Sequence, residues 1–395
     1  MSQILKVRTT KQFKNRIQYG YLWLFSNEID KKDLPKEIAC VEVYDSKDNF
    51  LCTGVYNPYS LISLRVISRN KEESFNKYFF KRKIIESLNR RIQYGFDERY
   101  CRIIYGESDF LPGVVIDRYD NIIAIQFFSY AMELFMNVII DSVVEIFSPD
   151  TIVIRNDIHQ RRLEHAPEYK KIVYSKNSNK NNITTIIEHL GAKFLVDVYN
   201  GQKTGFYYDQ LDNRKYIASL VRNKSVLDLC CYTGGFSIIS SLNGASNITG
   251  VDSSSTAIHL AKENAKLNKT KVEFIEADVE DFVSNSKKKY DLIIFDPPSY
   301  ARTNQDVKNA EKKYYSMCNK IIKLLNSEGI FAFSVCSRFI SQQKIEQIIQ
   351  SCLLKNKLKG FILYRGIQSL DHPVYLPMKQ ETEYLKFIVV QVYKS

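Results

Sequence analysis

The ten residues from 293 to 302, IIFDPPSYAR, bring together groups that can hold a flat heterocyclic base. An apolar run ends at Asp296, and Pro297, Pro298 and Tyr300 follow within four residues. Proline has no N–H for a sheet ladder, so the strand must end here. A carboxylate and a proline carbonyl are acceptors for an exocyclic amino group, and a tyrosine ring can stack on a flipped base. The set indicates chemistry on a base; the alternative is an ordinary turn.

Acidic residues end three further predicted strands. They are Asp228, Asp252 and Asp278, and the turn after the first contains Tyr232, Thr233, Gly234, Gly235 and Phe236. Paired glycines let a backbone approach a ligand, Asp252 is placed to accept ribose hydroxyls, and Asp278 to meet an adenine. The turn lacks the GxGxxG spacing of dinucleotide sites. We therefore expect S-adenosylmethionine as the cofactor, although each acid alone could be a helix N-cap.

Cys336 ends the apolar segment GIFAFSVC, which we expect to lie beside the strand of Asp296. Methylation of a ring carbon such as cytosine C5 needs a nucleophile that first adds to C6, and a thiolate can do this. An acid near N3 would stabilise the adduct. Cys336 and Asp296 are therefore the candidate catalytic residues, and the alternative for Cys336 is a small residue buried in a strand.

These residues require a sheet whose strand ends meet at one edge. From residue 187 onward, strands alternate with helices, which predicts an α/β domain with a doubly wound parallel sheet. Residues 1–72 contain short strands separated by turn residues, which predicts a small N-terminal β-barrel. Residues 73–186 add strands and helices near 74–95 and 131–146, which predicts a central α+β domain. The polar stretch 174–185 is typical of an exposed boundary.

Composition limits the class of protein. The 395 residues are 45% hydrophobic and 25% charged, which is typical of a soluble protein with two or three domains. The formal charge of +12 favours a polyanionic partner such as RNA. Eight cysteines without a CxxC pair argue against a zinc site or a disulfide framework. The same cysteine usage favours a reducing compartment, so we expect no metal and a cytoplasmic location. Neither a secretory signal nor a membrane-length apolar stretch is visible, so we expect no membrane.

The helix predicted at 74–95 is strongly basic. Phe80, Ile84, Leu88 and Ile92 recur on one side, and lysines and arginines occupy much of the rest. Two interpretations stay open: an RNA-binding face, or the solvated face of a connecting helix.

Motifs along nearly the whole chain resemble those of bacterial ribosomal RNA methyltransferases with an N-terminal PUA domain and a C-terminal S-adenosylmethionine domain. The matching segments are GYLWLFSNEI (20–29), GESDFLPGVVIDRYDN (106–121), GQKTGFYYDQLDNR (201–214), DLCCYTGGFS (228–237), FDPPSYAR (295–302), DHP (371–373) and EYLK (383–386). The sequence departs from the family pattern at Arg338 and in RRLEHAP (161–167).

The resemblance implies a PUA-like RNA-binding domain at 1–72, a central domain at 73–186 and a Rossmann-like methyltransferase domain at 187–395. It implies an active-site wall made by Gln202, Lys203, Thr204, Gly205 and Phe206, and an approach to the cofactor ordered by Asp209, Gln210 and Arg214. Within this set we expect Lys203, Thr204 and Gly205 to bind the cofactor. Substrate contacts are expected from Arg214, Pro297, Pro298 and Tyr300.

The leading hypothesis follows from the best-known members of that family, which make 5-methylcytosine in large-subunit ribosomal RNA; Cys336 matches their cysteine. One alternative keeps the enzyme but methylates a purine at N7 or an exocyclic amine, with Cys336 a bystander. Another is a non-catalytic RNA-binding assembly factor. A small-molecule methyltransferase would leave the basic charge and the N-terminal barrel unexplained. A homodimer is left open.

Overall fold

Two units divide the chain, and the chain passes between them five times. The computed structural model describes residues 5–30, 34–176 and 183–394, so residues 177–182 of the predicted boundary stretch lie outside the described residues. The first unit comprises Met1–Ile187, Val196–Tyr208 and Leu370–Thr382; the second comprises Glu188–Leu195, Asp209–Ser369 and Glu383–Ser395. The boundaries near residues 72 and 186 stay predictions.

The N-terminal part of the first unit is a five-stranded sheet with one short helix. Its elements are β1 (Leu5–Arg8), α1 (Lys11–Gln18), β2 (Trp23–Leu24), β3 (Ala39–Tyr44), β4 (Phe50–Tyr56) and β5 (Leu64–Ser68). The strand order is β1-β3-β4-β5-β2, with β1 parallel to β3 and the other neighbours antiparallel. Helix α1 was not predicted; its apolar residues Phe13 and Ile17, four apart, are buried in the core of this sheet.

The rest of the first unit is built on a second five-stranded sheet. Its elements are α2 (Lys77–Gln93), β6 (Tyr100–Tyr105), β7 (Val114–Tyr119), β8 (Ile122–Phe127), α3 (Met136–Phe147), β9 (Thr151–Asn156) and β10 (Tyr169–Ser175). Both predicted helices are confirmed, and their apolar faces share one core with the sheet. A two-stranded sheet, β11 (Thr184–His189) with β12 (Ala192–Asp197), follows.

The basic side chains of α2 have acidic partners within the first unit. The ion pairs are Lys77–Glu145, Lys81–Glu145, Arg82–Glu73, Lys83–Glu86, Arg90–Asp109 and Arg91–Asp109. Arg91 is also buried, with 1% of its surface exposed, so it cannot contact a phosphate from solution. The helix therefore offers RNA less uncompensated charge than its sequence indicates, which favours the structural interpretation of these residues.

The second unit is a seven-stranded sheet with helices on both faces. Its elements are α4 (Leu211–Ala218), β13 (Ser225–Leu229), α5 (Gly235–Leu242), β14 (Asn247–Asp252), α6 (Ser255–Leu267), β15 (Glu273–Glu276), α7 (Val279–Asn285), β16 (Tyr290–Phe295), α8 (Val307–Ile321), β17 (Leu325–Cys336), α9 (Gln342–Lys355), β18 (Leu358–Gly366) and β19 (Leu385–Lys394). The strand order is β15-β14-β13-β16-β17-β19-β18. The first five strands are parallel, as the alternating pattern predicts, and β19 is antiparallel to both of its neighbours.

Residues 370–382 return to the first unit and complete it. Met378 is buried in the N-terminal core, near a short helix at Lys379–Thr382. Asp371 is buried; its carboxylate accepts the backbone N–H of Arg102 at 3.0 Å and contacts His372 Nδ1 at 2.8 Å. Arg91 donates to the carbonyl of Asp371 at 2.9 Å. Although burial acts to raise it, His372 and the Arg102 amide hold the pKa of Asp371 below its usual value.

Neither a membrane helix nor a metal cluster occurs in the described part of the chain. No helix there is both long and apolar enough to cross a membrane. No three or more His, Cys, Asp or Glu side chains of those residues are grouped so that they could hold a metal ion.

Replacing Asp371 with asparagine should destabilise the first unit. The substitution removes a buried negative charge from His372 and the Arg102 amide, so the free energy of unfolding should fall by about 3 kcal/mol. Chemical denaturation measures this. The control is Asp48→Asn, which breaks an ion pair with Arg8 whose side chains are 69% and 54% exposed. That variant should leave the midpoint unchanged, and equal small effects of the two substitutions would contradict the anchoring role of Asp371.

Candidate active site

Four predicted site residues meet at one edge of the large sheet, on one face. They are Asp228, Asp252, Asp296 and Cys336, at the carboxyl ends of β13, β14, β16 and β17. Side chains of a strand alternate between faces, so each shares the face of a residue an even number of positions away. Val226, Ile248, Ile294 and Ala332 lie in the core that also contains Ile217 of α4 and Phe236 of α5. All four predicted site side chains therefore lie on the face that α4 and α5 cover.

The turn between β13 and α5 has an unusual backbone. Cys230, Tyr232 and Gly234 have φ angles of 61°, 49° and 83°, in the left-handed region that only glycine adopts without strain. A side chain at Gly234 would put its Cβ 2.7 Å from the ring of Phe274, so only glycine fits there. Two strained residues beside a required glycine are typical of a backbone shaped for a ligand.

Asp252 fixes this turn from the neighbouring strand. One of its carboxylate oxygens accepts the backbone N–H of Tyr232 at 2.9 Å, and the other accepts that of Ser254 at 2.9 Å. The carbonyl of Thr233 is held by the side chain of buried Asn264, at 3.1 Å. Asn264 was missed from the sequence because an asparagine inside a helix gives no sign of the loop it supports.

Asp228 is a buried acid with an unusual proton affinity. Its Oδ2 accepts the backbone N–H and the hydroxyl of Ser237, at 3.0 and 2.6 Å, in the first turn of α5. Its Oδ1 is buried and has no hydrogen-bond partner among the described residues. Burial, with a contribution from the nearby charge of Asp296, raises the pKa of Asp228 to about 7, against the hydrogen bonds from Ser237.

Arg214 lies against the turn between β13 and α5, and Phe236 packs in the hydrophobic core. A Cβ at Gly235 would lie 2.9 Å from the guanidinium of Arg214, which lies 3.2 Å from His189 Nε2. One neighbour of Arg214 thus lies where the turn after β13 meets α5 and the other lies in β11, and its predicted contact with substrate stays a prediction. Phe236 is buried and stacks on Phe387 with ring centroids 5.9 Å apart, so its predicted cofactor contact also stays a prediction.

Asp278 forms the N-cap that the sequence left open as an alternative. Its side chain accepts the backbone N–H groups of Glu280 and Asp281, at 2.8 and 3.1 Å, at the start of α7. One oxygen makes both bonds, and the residue is exposed. A contact with adenine stays a prediction.

The carboxylate of Asp296 is held by a glutamine. Gln210 Nε2 donates to Asp296 Oδ2 and to Ser334 Oγ, at 3.0 Å each. Phe295 pairs with Phe333 across β16 and β17, so Asp296 lies level with Ser334. Cys336 is two residues farther along β17, on the same face and about 7 Å away along the strand. The predicted neighbourhood of Asp296 and Cys336 is thus present in the strand pairing.

The backbone after Cys336 is tied to the proline loop. Ser337 donates its hydroxyl to the carbonyl of Ala301 at 2.7 Å, which joins the segments after β17 and β16. Lys386, buried on β19, donates to the carbonyl of Ser337 at 3.0 Å. Cys336 itself is partly exposed. These bonds hold a reachable thiol in a fixed backbone.

Within the proline loop, Pro297 is buried, Pro298 is exposed and Tyr300 is partly buried. The Tyr300 ring packs against Tyr314 with centroids 4.8 Å apart, and the ammonium of Lys313 lies 4.2 Å from its centroid. These contacts use part of the ring surface that a stacked base would need. Substrate binding by the three loop residues stays a prediction.

Lys203, Thr204 and Gly205 belong to the first unit. Thr204 is buried, and its hydroxyl bonds to the carboxylate of Asp117 and, at 2.8 Å, to the hydroxyl of Tyr119. The Lys203 ammonium lies 4.1 Å from the ring centroid of Tyr207. A Cβ at Gly205 would lie 2.6 Å from the side chain of Val196. These contacts are structural, and the predicted role of the three residues at the cofactor stays a prediction.

Known proteins are similar to this chain in sequence and in fold. Residues 220–386 match the family model described as "Methyltransferase domain", and residues 7–69 match that described as "PUA-like domain". "Ribosomal RNA large subunit methyltransferase I" of Tolumonas auensis is 33% identical over 93% of this chain and 94% of its own. The Shewanella frigidimarina protein of the same name is 32% identical over 98% of this chain and 100% of its own length. The chain belongs to the ribosomal RNA large subunit methyltransferase I family.

The fold of this family member occurs in solved structures of lower identity. The crystal structure of SMU.776 complexed with SAH has a TM-score of 0.83 and 20% identity, over 98% of this chain and 100% of that one. The tRNA m1G37 methyltransferase of M. jannaschii has a TM-score of 0.53 and 18% identity, over 85% of this chain and 83% of that one. The predicted Rossmann-like and PUA-like folds are therefore confirmed. The methyltransferase family model and the ribosomal RNA methyltransferase relatives show that the chain is a methyltransferase, and its cofactor is S-adenosylmethionine.

The cofactor edge of this family member fits S-adenosylmethionine. The cofactor has an ammonium group and ribose hydroxyls, all of which are donors. The buried Oδ1 of Asp228, without a partner among the described residues, and the partly buried carboxylate of Asp252 are acceptors at the same strand ends. When bound, the cofactor supplies an electrophilic methyl group. The glycine turn, Asp228 and Asp252 are the groups that would hold it.

Replacing Asp228 with asparagine should change how stability depends on pH. The pKa of Asp228 is about 4 in the unfolded chain and about 7 in the folded protein. The folded state therefore binds the proton more tightly, and this stabilisation is complete below pH 4 and is lost as the pH rises through 7. Wild-type stability relative to Asp228→Asn should therefore fall between pH 4.5 and 8, by up to about 4 kcal/mol. Denaturation at a series of pH values measures this.

The matched control is Asp291→Asn in the same unit. Although burial acts to raise it, hydrogen bonds from Ser225 and Asn326 hold the pKa of Asp291 below its usual value. Asp291 is therefore ionised in both folded and unfolded states above pH 5 and should contribute no slope there. Parallel pH curves for wild type and Asp228→Asn would show that Asp228 is ionised throughout.

Proposed function

We propose that this family member methylates C5 of a cytosine in large-subunit ribosomal RNA through a transient bond between Cys336 and C6. The observation that carries the proposal is the parallel pairing of β16 with β17, through which a carboxylate and a thiol share one face at the cofactor edge. The substrate class comes from the names of the relatives, which are ribosomal RNA large subunit methyltransferases.

The other cysteines support this role for Cys336 because they are poor nucleophiles. They are Cys40, Cys52, Cys101, Cys230, Cys231, Cys318 and Cys352. Burial raises the pKa of every one of these thiols, that of Cys40 to about 11 and that of Cys352 to about 12. A thiol is nucleophilic only as its thiolate, so these seven are held in the inert form at neutral pH.

In the proposed chemistry the Cys336 thiolate acts first as the nucleophile and later as the leaving group. Cys336 would form an S–C6 bond, and the electron pair of the C5–C6 double bond would move to C5. C5 would then take the methyl group of the cofactor, whose sulfonium–methyl bond breaks and leaves its electron pair on sulfur as a neutral thioether. A base then removes the C5 proton. The electron pair of that C–H bond restores the double bond and expels the thiolate, so the protein is regenerated and one proton is released.

Asp296 would select the base that enters. Its carboxylate accepts hydrogen bonds, so it favours the exocyclic amino group of cytosine over the carbonyl oxygen of uracil, which would face it as a second acceptor. Pro297 and Pro298 follow immediately and offer further carbonyl acceptors. Tyr300 would stack on the flipped base where Lys313 and Tyr314 leave its ring accessible.

RNA is the partner that the charge favours. The net charge of +12 and the PUA-like domain at residues 7–69 both support binding to a phosphate backbone. Because α2 is largely compensated by acids, we propose that phosphate contacts come mainly from other parts of the protein.

Cys336→Ala should abolish methylation of large-subunit ribosomal RNA. Unmodified RNA is incubated with S-adenosylmethionine and protein, and the nucleosides are identified by mass spectrometry. We expect 5-methylcytidine with the wild type, and a loss of at least about 1,000-fold with the variant because the nucleophile is gone. Cys40→Ala is the control, since Cys40 lies in β3 of the first unit and should be dispensable.

Two outcomes would contradict the proposal. A methylated purine formed by both wild type and Cys336→Ala would make the cysteine a bystander, as in a transfer to guanine. RNA in which 5-fluorocytidine replaces the target should trap wild type, but not Cys336→Ala, as a covalent adduct, because no C5 proton can leave. Absence of that adduct with an active wild type would exclude the thiolate route.

A further inference from the structure

Gln210 joins the two strands that carry the proposed chemistry. Both hydrogens of its side-chain amide have buried or partly buried acceptors, Asp296 Oδ2 on the β16 side and Ser334 Oγ on β17. Gln210 is 2% exposed and Ser334 0%, so the bonds form in a low-dielectric environment, where they are strong. Ser334 lies two residues before Cys336 on the same face of β17.

A second amide fixes the orientation of Gln210. Asn213 Nδ2 donates to Gln210 Oε1 at 2.7 Å and to the carbonyl of Ile367 at 3.3 Å. A flipped Asn213 would turn its oxygen toward two acceptors, so its orientation is determined. Gln210 must therefore present its oxygen to Asn213 and its nitrogen to Asp296. Gly366 leaves room for this arrangement, since a Cβ there would lie 2.1 Å from Asn213 Oδ1.

We propose that Gln210 is a positioning residue that fixes the orientation of the Asp296 carboxylate and keeps it ionised to receive the base. Asn213 sets the direction of the donor, and the shared bond to Ser334 keeps Asp296 at a constant distance from the end of β17. The inference deepens the proposed function and rests on it for the identity of the base.

Several ionisable groups surround the Asp296 carboxylate. The ionisable groups whose charges interact with it include Asp228 at the end of β13, Cys230 in the cofactor turn and Tyr314 on α8. Cys336 shares its face on β17. These four groups are neutral or negative and cannot favour ionisation of Asp296 by their charge, whereas the hydrogen bond that Gln210 donates opposes its protonation. Arg214, buried on α4, acts on the neighbouring Asp228. These groups are unchanged in the variants below.

The test is the pH dependence of methyl transfer by Gln210→Glu. An acid facing Asp296 would force the two carboxyl groups to share a proton, which raises the pKa of the pair. On the acidic side of the kcat profile, the step that belongs to this carboxyl pair, distinct from the step that forms the Cys336 thiolate, should move up by about one pH unit or more. The matched control is Gln342→Glu on α9, whose amide also donates to a carboxylate, that of Glu346, at 3.2 Å. Its profile should equal that of the wild type.

Two further variants separate positioning from folding. Asn213→Asp removes the donor that orients Gln210, so the acidic limb should move in the same direction. Gln210→Met keeps the length of the side chain without its hydrogen bonds. It should lower kcat about 10- to 100-fold, with the S-adenosylmethionine Kd within error of the wild type. The variant should stay folded, and the loss of the buried hydrogen bonds should lower its melting temperature by only a few degrees, about what 1–3 kcal/mol accounts for.

Each outcome decides the inference. A Gln210→Glu profile equal to that of the wild type, or an equal shift in Gln342→Glu, overturns it. If Gln210→Glu is folded but inactive, the pKa of Asp296 is measured instead, from the pH dependence of its carboxyl 13C resonance. A pKa of Asp296 equal to that in the wild type overturns the inference. If it does not fold, normal kcat in Gln210→Met overturns it. The product nucleoside of the wild type reports separately on the proposed function, because these rates are measured for whichever base is methylated.

Discussion

The parallel pairing of β16 with β17 is the constraint on which the active site depends. Phe295 and Phe333 pair across these strands, stack with centroids 5.6 Å apart, and are buried in the core beneath α8 and α9. Side chains alternate along each strand, so a register slip of one residue would bring Phe333 to the α4–α5 face and turn Cys336 away from it. Apolar packing on one face thereby fixes the chemistry on the other.

Acidic side chains are buried at the same edge of the sheet, where burial disfavours their ionised forms. Asp228 lies in a setting that raises its pKa to about 7, and the turn beside it holds Cys230 and Tyr232 in strained backbone. Asp252 and Asn264 hold that turn through hydrogen bonds to its backbone. A rigid acceptor array of this kind needs little rearrangement when a cationic nucleoside cofactor arrives.

Much of this arrangement was predictable because periodicity reports local structure. Alternating strands and helices specified the parallel sheet, and chain order specified that Cys336 should lie beside Asp296. Helix α1 was missed because only Phe13 and Ile17 mark its buried side. The basic face of α2 was ambiguous because its neutralising partners, such as Glu145, come from distant parts of the chain. The Gln210–Asp296 bond spans 86 residues, and no local pattern encodes a contact of that kind.

The five passages of the chain between the two units have a consequence for synthesis. A ribosome releases the chain from its N-terminus at about 5–20 residues per second, so early domains usually fold before later ones appear. Here the first unit lacks Asp371 and Met378 until residues 370–382 emerge. The large sheet lacks β19, which lies between β17 and β18, until still later. Both cores therefore close only once residues 370–394 have emerged, almost together, and neither can be complete before the other begins to form.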